Sequence, residues 1–260
     1  GGVSYPGTGS TGDGYRLAES VGHTVTPLLP SLVGLESDDP LCAAAQGLSL
    51  KNAAITVADA ACGKGIFRDF GEMLFCHYGI SGPVILSASA HMRPMEKDRY
   101  SVFIDLKPAL DRETLDCRLL ADFDRSKNRD FRHAFDELLP SKLREPFAAR
   151  CGIPLDKKIH AVTREERSRI VSLLKGLAIP ITGFRPIAEA IVTSGGVRTS
   201  EIDPHTMCSK FCPNLYFAGE IIDVDAYTGG FNLQIAFSTA MAAAEAAAIQ
   251  NGFKGKETTK

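Results

Sequence analysis

The residues best suited to chemistry lie near the carboxyl end of the chain. Leu215-Tyr-Phe-Ala-Gly-Glu220 sets a carboxylate at a glycine corner, and Gly229-Gly-Phe-Asn232 opens an alanine-rich run that continues to Ala248. The order implies a short buried strand over 215–218, a turn at Gly219 and Glu220, and a helix starting on paired glycines. A strand end facing a helix start presents bare backbone N–H groups and the positive end of a helix dipole in one crevice. Such a crevice suits an anionic or electron-rich ligand at the carboxyl end of a sheet. The same residues also fit an ordinary strand–loop–helix unit, because single glycine motifs often arise by chance. Tyr227 and Asn232 flank the double glycine. Both can hydrogen-bond a ligand, and both can equally anchor the loop and the first turn of the helix.

Other chemistry-bearing groups are weaker. Gly7-Thr-Gly-Ser-Thr-Gly12 matches the Gly-x-Gly-x-x-Gly spacing, but Pro6 precedes it and no strand leads into it. It therefore reads as a flexible ligand-side loop rather than a dinucleotide fingerprint. Ile191-Val-Thr-Ser-Gly-Gly-Val197 is a strand running into a turn. In Phe75-Cys-His-Tyr-Gly the thiol and imidazole are sequence neighbours, which point to opposite faces of a strand. They do not form a nucleophilic dyad, though His77 can line a crevice. No side chain stands out as a general acid, base or nucleophile, so the catalytic residues stay unassigned. The seven cysteines are scattered without Cys-x-x-Cys spacing, which predicts no metal site and a reducing, cytoplasmic setting.

Several elements must position these groups. A helix is expected over 14–21 with Asp13 as its cap. Short apolar runs at 25–29, 48–57, 65–67, 72–75 and 102–106 read as strands. Pro83 starts a helix. From 107 to 178 the pattern is helical and charged, with helices expected over 111–123, 128–138, 141–149 and 163–174. Thr163-Arg-Glu-Glu166 is a capping box for the last of these. Residues 179–218 turn β-rich again, and residues 253–260 are polar and expected to fray. The first and last pieces lack partners of their own unless they pack together, as when one domain is inserted into another.

Composition narrows the function classes. Of 260 residues 44% are apolar and 23% charged, with a net charge of -2. That balance fits a globular domain and predicts no nucleic-acid or membrane partner. The ligand crevice predicts a small-molecule substrate. The chain opens on Gly-Gly-Val-Ser-Tyr-Pro with no initiator Met, which reads as the inside of a longer protein.

Three blocks carry a family resemblance: residues 1–15, residues 70–83, and Thr193-Ser-Gly-Gly-Val197 together with residues 215–236. In these the chain resembles the HI0933-like flavoproteins, also described as BaiN-like NAD(P)/FAD-dependent oxidoreductases. The resemblance implies an α/β (α+β overall) fold: a partial Rossmann-type FAD-binding domain, residues 1–25 and 179–260, interrupted by an inserted domain, residues 26–178. The insertion would have a β-rich part (26–106) and a helical part (107–178). It also implies that Gly219 and Glu220 lie beside the flavin ribityl and phosphate chain, with Asp223 bonding the cofactor or bracing the loop. Gly229, Gly230, Phe231 and Asn232 would lie at the helix start under the isoalloxazine ring, and Gly1, Gly2, Tyr5, Thr8, Gly9 and Thr11 would flank it. The family's own pyrophosphate-binding glycine motif would lie upstream. The expectation is therefore a carboxyl-terminal portion of an FAD-dependent oxidoreductase, with NADH or NADPH as reductant. By itself it would bind FAD weakly or not at all, be inactive, and self-associate through exposed flavin-domain edges. The alternative is a non-catalytic module in which the inserted domain recognises protein or RNA through its basic helical block, including Arg125, Arg129 and Arg132.

Overall fold

The computed structural model describes residues 1–250 and Gly252; the expected fraying of residues 253–260 lies outside the described residues. In chain order the helices are α1 (Asp13–Ser20), α2 (Pro40–Ala44), α3 (Pro83–Ser89), α4 (Arg112–Arg125), α5 (Ser141–Arg150), α6 (Arg164–Lys175) and α7 (Phe231–Gln250). The strands are β1 (Leu29–Ser31), β2 (Leu35–Glu36), β3 (Ser49–Asp59), β4 (Lys64–Cys76), β5 (Gly79–Ser81), β6 (Tyr100–Asp105), β7 (Leu177–Ile181), β8 (Gly183–Phe184) and β9 (Val192–Ser194). The fold is mixed α/β, and the paired strands are all antiparallel. Contacts divide the chain into a terminal unit, Gly1–Val33 with Arg185–Lys260, and a barrel unit, Gly34–Phe184.

In the barrel unit seven strands run in the order β7-β6-β3-β4-β5-β2-β8. The two edge strands, β7 and β8, are separated in the chain by Thr182 alone. Its amide donates to Glu36 O (2.9 Å), and Ser37 Oγ donates to Pro180 O (2.6 Å). The chain thus passes directly from one edge strand to the other, and these two bonds tie the β7 end to β2 and the residue after it. Two register shifts between β3 and β4, at Leu50/Ala53 and Val57/Ala58, supply the bends that closure needs. On β3 burial alternates, with Ala53, Ile55, Val57 and Asp59 facing inward. Asp59 closes one end through a two-pronged pair with Arg99 (3.1 and 3.0 Å).

The helical part packs on the same core. Phe131, Phe135 and Phe147 stack edge to face at 5.6 and 5.0 Å. The capping box of α6 forms as its spacing predicts, with Thr163 Oγ1 accepting from Glu166 N and Glu166 accepting from Thr163 N. The expected helix over 128–138 does not form. The amides of Phe131 and Arg132 donate instead to Lys157 O (2.8 Å) and Leu155 O (3.0 Å), so only a 3-10 turn, Phe131–His133, remains. The aromatic spacing that suggested a helix buries Phe131 and Phe135 by another route.

The terminal unit has a much smaller core, built on Ala18, Val197, Ile202, Phe217 and Ile222. Its sheet is the β1–β9 pair. The strand expected over 215–218 reduces to one bridge, Cys208 to Tyr216, followed by a 3-10 turn, Gly219–Ile221. Of the apolar residues there only Phe217 is buried, and no neighbouring strand among the described residues is aligned to make a ladder. The run 25–29 likewise makes one bridge, at Val25, before β1 begins.

Gly79, on β5, tests how tightly the barrel closes. It adopts φ +149°, and a Cβ there would collide with Leu35 O on β2. Gly79→Ala is expected to cost about 2–4 kcal/mol in chemical denaturation. Gly63→Ala, at φ +65° with open space around it, is expected to cost about 1 kcal/mol. Equal losses at the two positions would contradict this account of closure.

Candidate functional site

The terminal unit holds a cavity of about 420 Å³ at the start of α7. That volume is in the range of small-molecule sites. Its floor is the Gly229–Gly230 turn, with φ +109° and +90°, conformations that glycine adopts without strain. A Cβ on Gly230 would meet nothing within 4 Å, so the turn faces open space. Leu32, Ile191, Val192, Leu233 and Ile235 make an apolar wall; Gly219, Glu220 and Asn232 supply polar edges. The arrangement suits a flat, largely apolar ligand with one electron-rich edge toward the helix start.

Hydrogen bonds fix the cavity's rim. The Asn232 side chain grips the loop above it: Oδ1 accepts from Ala226 N (2.9 Å) and Nδ2 donates to Ala226 O (2.8 Å). Asn232 therefore braces the loop. Asp225 is clasped by Ser31 Oγ (2.6 Å) and Ser194 Oγ (3.0 Å), which ties that loop to β1 and β9. Gly219 N donates to Thr239 Oγ1 (2.9 Å), joining the glycine corner to α7.

Glu220 sits at a junction of three distant segments. Its carboxylate accepts from Thr193 N and from Ser4 Oγ (3.1 Å), while Thr193 Oγ1 accepts from Val3 N (2.8 Å) and Ser4 N (3.1 Å). Gly2 lies so close that a Cβ there would collide with Thr193 Oγ1 and crowd Glu220. Tyr15 donates its hydroxyl to Glu220 O (3.1 Å). Burial first, then the charges of Glu220 and Asp223, push the Tyr15 phenol up to about 12.

The structure thus gathers Gly219, Glu220, Gly229, Gly230 and Asn232 around one cavity and brings Gly2 against Glu220. Phe231 is exposed beside Gly229. Tyr5, Thr8, Gly9 and Thr11 fold on their own loop: Thr8 Oγ1 donates to Tyr5 O (2.8 Å), Gly9 N to Pro6 O (3.0 Å) and Thr11 Oγ1 to Asp13 (2.9 Å). Gly1 lies beside Ser10, and Asp223 donates its amide to Val197 O (3.0 Å); neither lines the cavity. His77, in the barrel unit, packs edge to face on Tyr78. Among the described residues no three His, Cys, Asp or Glu side chains converge as metal ligands, and no helix is long and apolar enough to cross a membrane.

One buried constellation has no signal in the sequence, because its members lie far apart. His23 Nδ1 meets Glu201 Oε2 at 3.0 Å and His23 Nε2 meets Ser209 Oγ at 2.7 Å. The order resembles a hydrolytic triad. Ser209 Oγ, however, already accepts from Phe211 N (3.1 Å) and Cys212 N (2.8 Å). Its proton therefore goes to Nε2, Nδ1–H donates to Glu201, and the hydroxyl has no free lone pair for attack. Phe211 and Phe217 cover the imidazole at 4.9 and 4.8 Å. The trio braces the loop that carries Phe217 into the small core.

The family model for the HI0933-like protein barrel and H2TH domain matches residues 29–192. The chain belongs to the HI0933-like family, the flavin-associated group its motifs resemble. It is 33% identical over 94% of its length to a ribosomal RNA dihydrouridine synthase of Escherichia coli K12. It is 35% identical over 94% to the protein of the same name in Haemophilus influenzae. To a 3-dehydro-bile acid delta(4,6)-reductase of Clostridium scindens it is 29% identical over 95%. The chain spans 58%, 58% and 60% of the length of these relatives. The expectation that excluded nucleic acid as a partner is overturned by the first two, which are ribosomal RNA enzymes by name. Net charge misled because it averages over the chain: residues 107–178 hold sixteen Lys and Arg against twelve Asp and Glu.

The buried trio makes a pH prediction. The Thr24 amide, ahead of the Thr24 hydroxyl and His23, holds the Glu201 carboxyl below its usual range. A depressed carboxylate stabilises the fold above its unfolded pKa and loses that contribution as pH falls through its folded value. Glu201→Gln is expected to be less stable than wild type at pH 7, with the gap closing below about pH 4.5. A gap that stays constant from pH 7 to pH 3, read by urea denaturation, would rule out the assignment.

Proposed function

We propose that the protein is an FAD-dependent reductase that adds hydrogen across the 5,6 double bond of uracil in RNA. The observation that carries the reading is the cavity at the start of α7, whose apolar wall and open glycine turn fit the ring end of a flavin. The terminal unit would be part of a Rossmann-type cofactor domain and the barrel unit an insertion in it; the division of the chain into those two units supports this.

The relatives' names share one reaction class. Making dihydrouridine from uridine reduces a carbon–carbon double bond conjugated to a carbonyl. A delta(4,6)-reductase of a 3-dehydro steroid reduces double bonds conjugated to a ketone. When bound, reduced flavin supplies the hydride for such a bond, and NADH or NADPH is the matching source of electrons. The residues of this chain hold and shape the site. The apolar wall of Leu32, Ile191 and Val192 excludes water from a ring lying against it. The amides at Gly229 and Gly230 and the α7 dipole favour negative charge at the ring's polar edge. Asn232 holds the loop at 226–227 beside the glycine turn, where that edge would lie.

In the intact protein, flavin is expected to co-purify and to be reduced by NADH or NADPH. Uridine-containing RNA should then gain two hydrogens per modified uracil, read by mass spectrometry of its nucleosides. Gly230→Leu, which fills the open turn, and Asn232→Ala, which frees the loop, should each weaken flavin binding about tenfold or more, about 1.4 kcal/mol. Protein that folds but retains no flavin would overturn the proposal.

A further inference from the structure

In the barrel unit two chain segments are laid side by side between α4 and α6. Ile159 N donates to Arg129 O (3.0 Å), His160 N to Lys127 O (3.1 Å) and Phe131 N to Lys157 O (2.8 Å). An Asp130–Lys158 bridge completes the pairing. Arg125, Lys127, Arg129, Arg132, Lys158 and His160, in and beside this two-ply turn, are all exposed. Arg125, Arg129 and His133 line a common hollow of about 320 Å³. Three acids, Asp122, Asp136 and Glu137, line the same hollow, and two of them are held by cations. Asp122 lies between Arg118 and Arg125. Asp136 is met by Arg129 (2.9 Å), His133 (3.4 Å) and Arg144 (3.6 Å). Arg132 has no carboxylate within ion-pair distance among the described residues.

We propose that this face holds the phosphate backbone of a structured RNA, an inference that rests on the RNA-reductase reading. Three observations point to phosphate rather than to an acidic protein. Three of the six named groups are guanidinium, whose planar fork matches phosphate oxygens. The carboxylates hold several of them in place while leaving other N–H donors free. The face has few apolar anchors: the aromatic side chains of this segment, Phe131 and Phe135, are fully buried. A protein interface would be expected to offer exposed aromatic or aliphatic anchors, whereas RNA helices are gripped chiefly through backbone and shape.

The test is fluorescence anisotropy of the intact protein with a labelled RNA hairpin across a salt series. Wild type should bind with a steep salt dependence. The triple variant Arg125→Gln, Arg129→Gln, Arg132→Gln should bind at least tenfold more weakly, with the slope of log K against log salt reduced by about 2. Its flavin content should be unchanged. Arg125 and Arg129 make ion pairs, so Lys127→Glu serves as a second variant; among the described residues Lys127 pairs only with exposed Asp124, at 3.8 Å. It should weaken binding in the same direction without lowering Tm. Wild-type binding that neither variant weakens overturns the surface while leaving the RNA reading intact. No RNA binding by wild type overturns both. Competition by polyglutamate as effective as that by unlabelled hairpin would assign the face to acidic proteins and overturn the proposal.

Discussion

The junction at Glu220 is the interaction on which the terminal unit depends. Three segments far apart in the chain, residues 2–4, Thr193 and Glu220, meet through amide and hydroxyl donors on one carboxylate and one threonine oxygen. The unit cannot rely on apolar burial alone, because its core cluster has five buried members where the barrel unit has dozens. Hydrogen bonds to a charged group contribute more than neutral ones and fix direction as well as distance. The cavity follows from that junction: Gly219 continues from it toward α7, and β9 carries Val192 into the apolar wall.

The glycines teach how local signals are misread. Gly195 and Gly196 look from sequence like a turn at the end of a strand. In the fold a Cβ on Gly195 would collide with Pro27 O, and one on Gly196 would lie 2.5 Å from Ile221 O. They are needed because other backbone passes against them. Gly229 and Gly230 look the same in sequence, yet Gly230 has open space before it. Paired glycines mark where a side chain is intolerable or unwanted. Which of the two applies depends on segments the local sequence does not contain.

Elements stabilised within their own span were legible. The capping box of α6, the proline start of α3 and the alanine-rich α7 formed close to their expected bounds. Elements whose fate rests on distant partners were not. Residues 215–218 are apolar enough for a strand but lack an aligned neighbour. Residues 128–138 have helical spacing, but the carbonyls of 155–157 capture their amides. The His23–Glu201–Ser209 trio spans most of the chain and leaves no trace in spacing. For the site, the glycine corner and helix start were visible in sequence, while the apolar wall, drawn from Leu32, Ile191 and Val192, was not.

The chemistry proposed for the cavity does not choose its own substrate. Reduction of a double bond beside a carbonyl asks for a flat acceptor, a hydride source and little else, and a uracil base and a steroid dienone both meet that demand. Discrimination between them has to come from groups that touch what the acceptor is attached to. A steroid offers apolar area; a nucleotide in RNA offers a chain of phosphates. The described surface at 125–133 and 158–160 offers guanidinium and ammonium groups beside paired carboxylates and keeps its aromatic side chains buried. On physical grounds that surface favours the polyanion. On the proposed reading, substrate choice would rest with the barrel unit and its helices, and the reaction class with the glycine turn at α7.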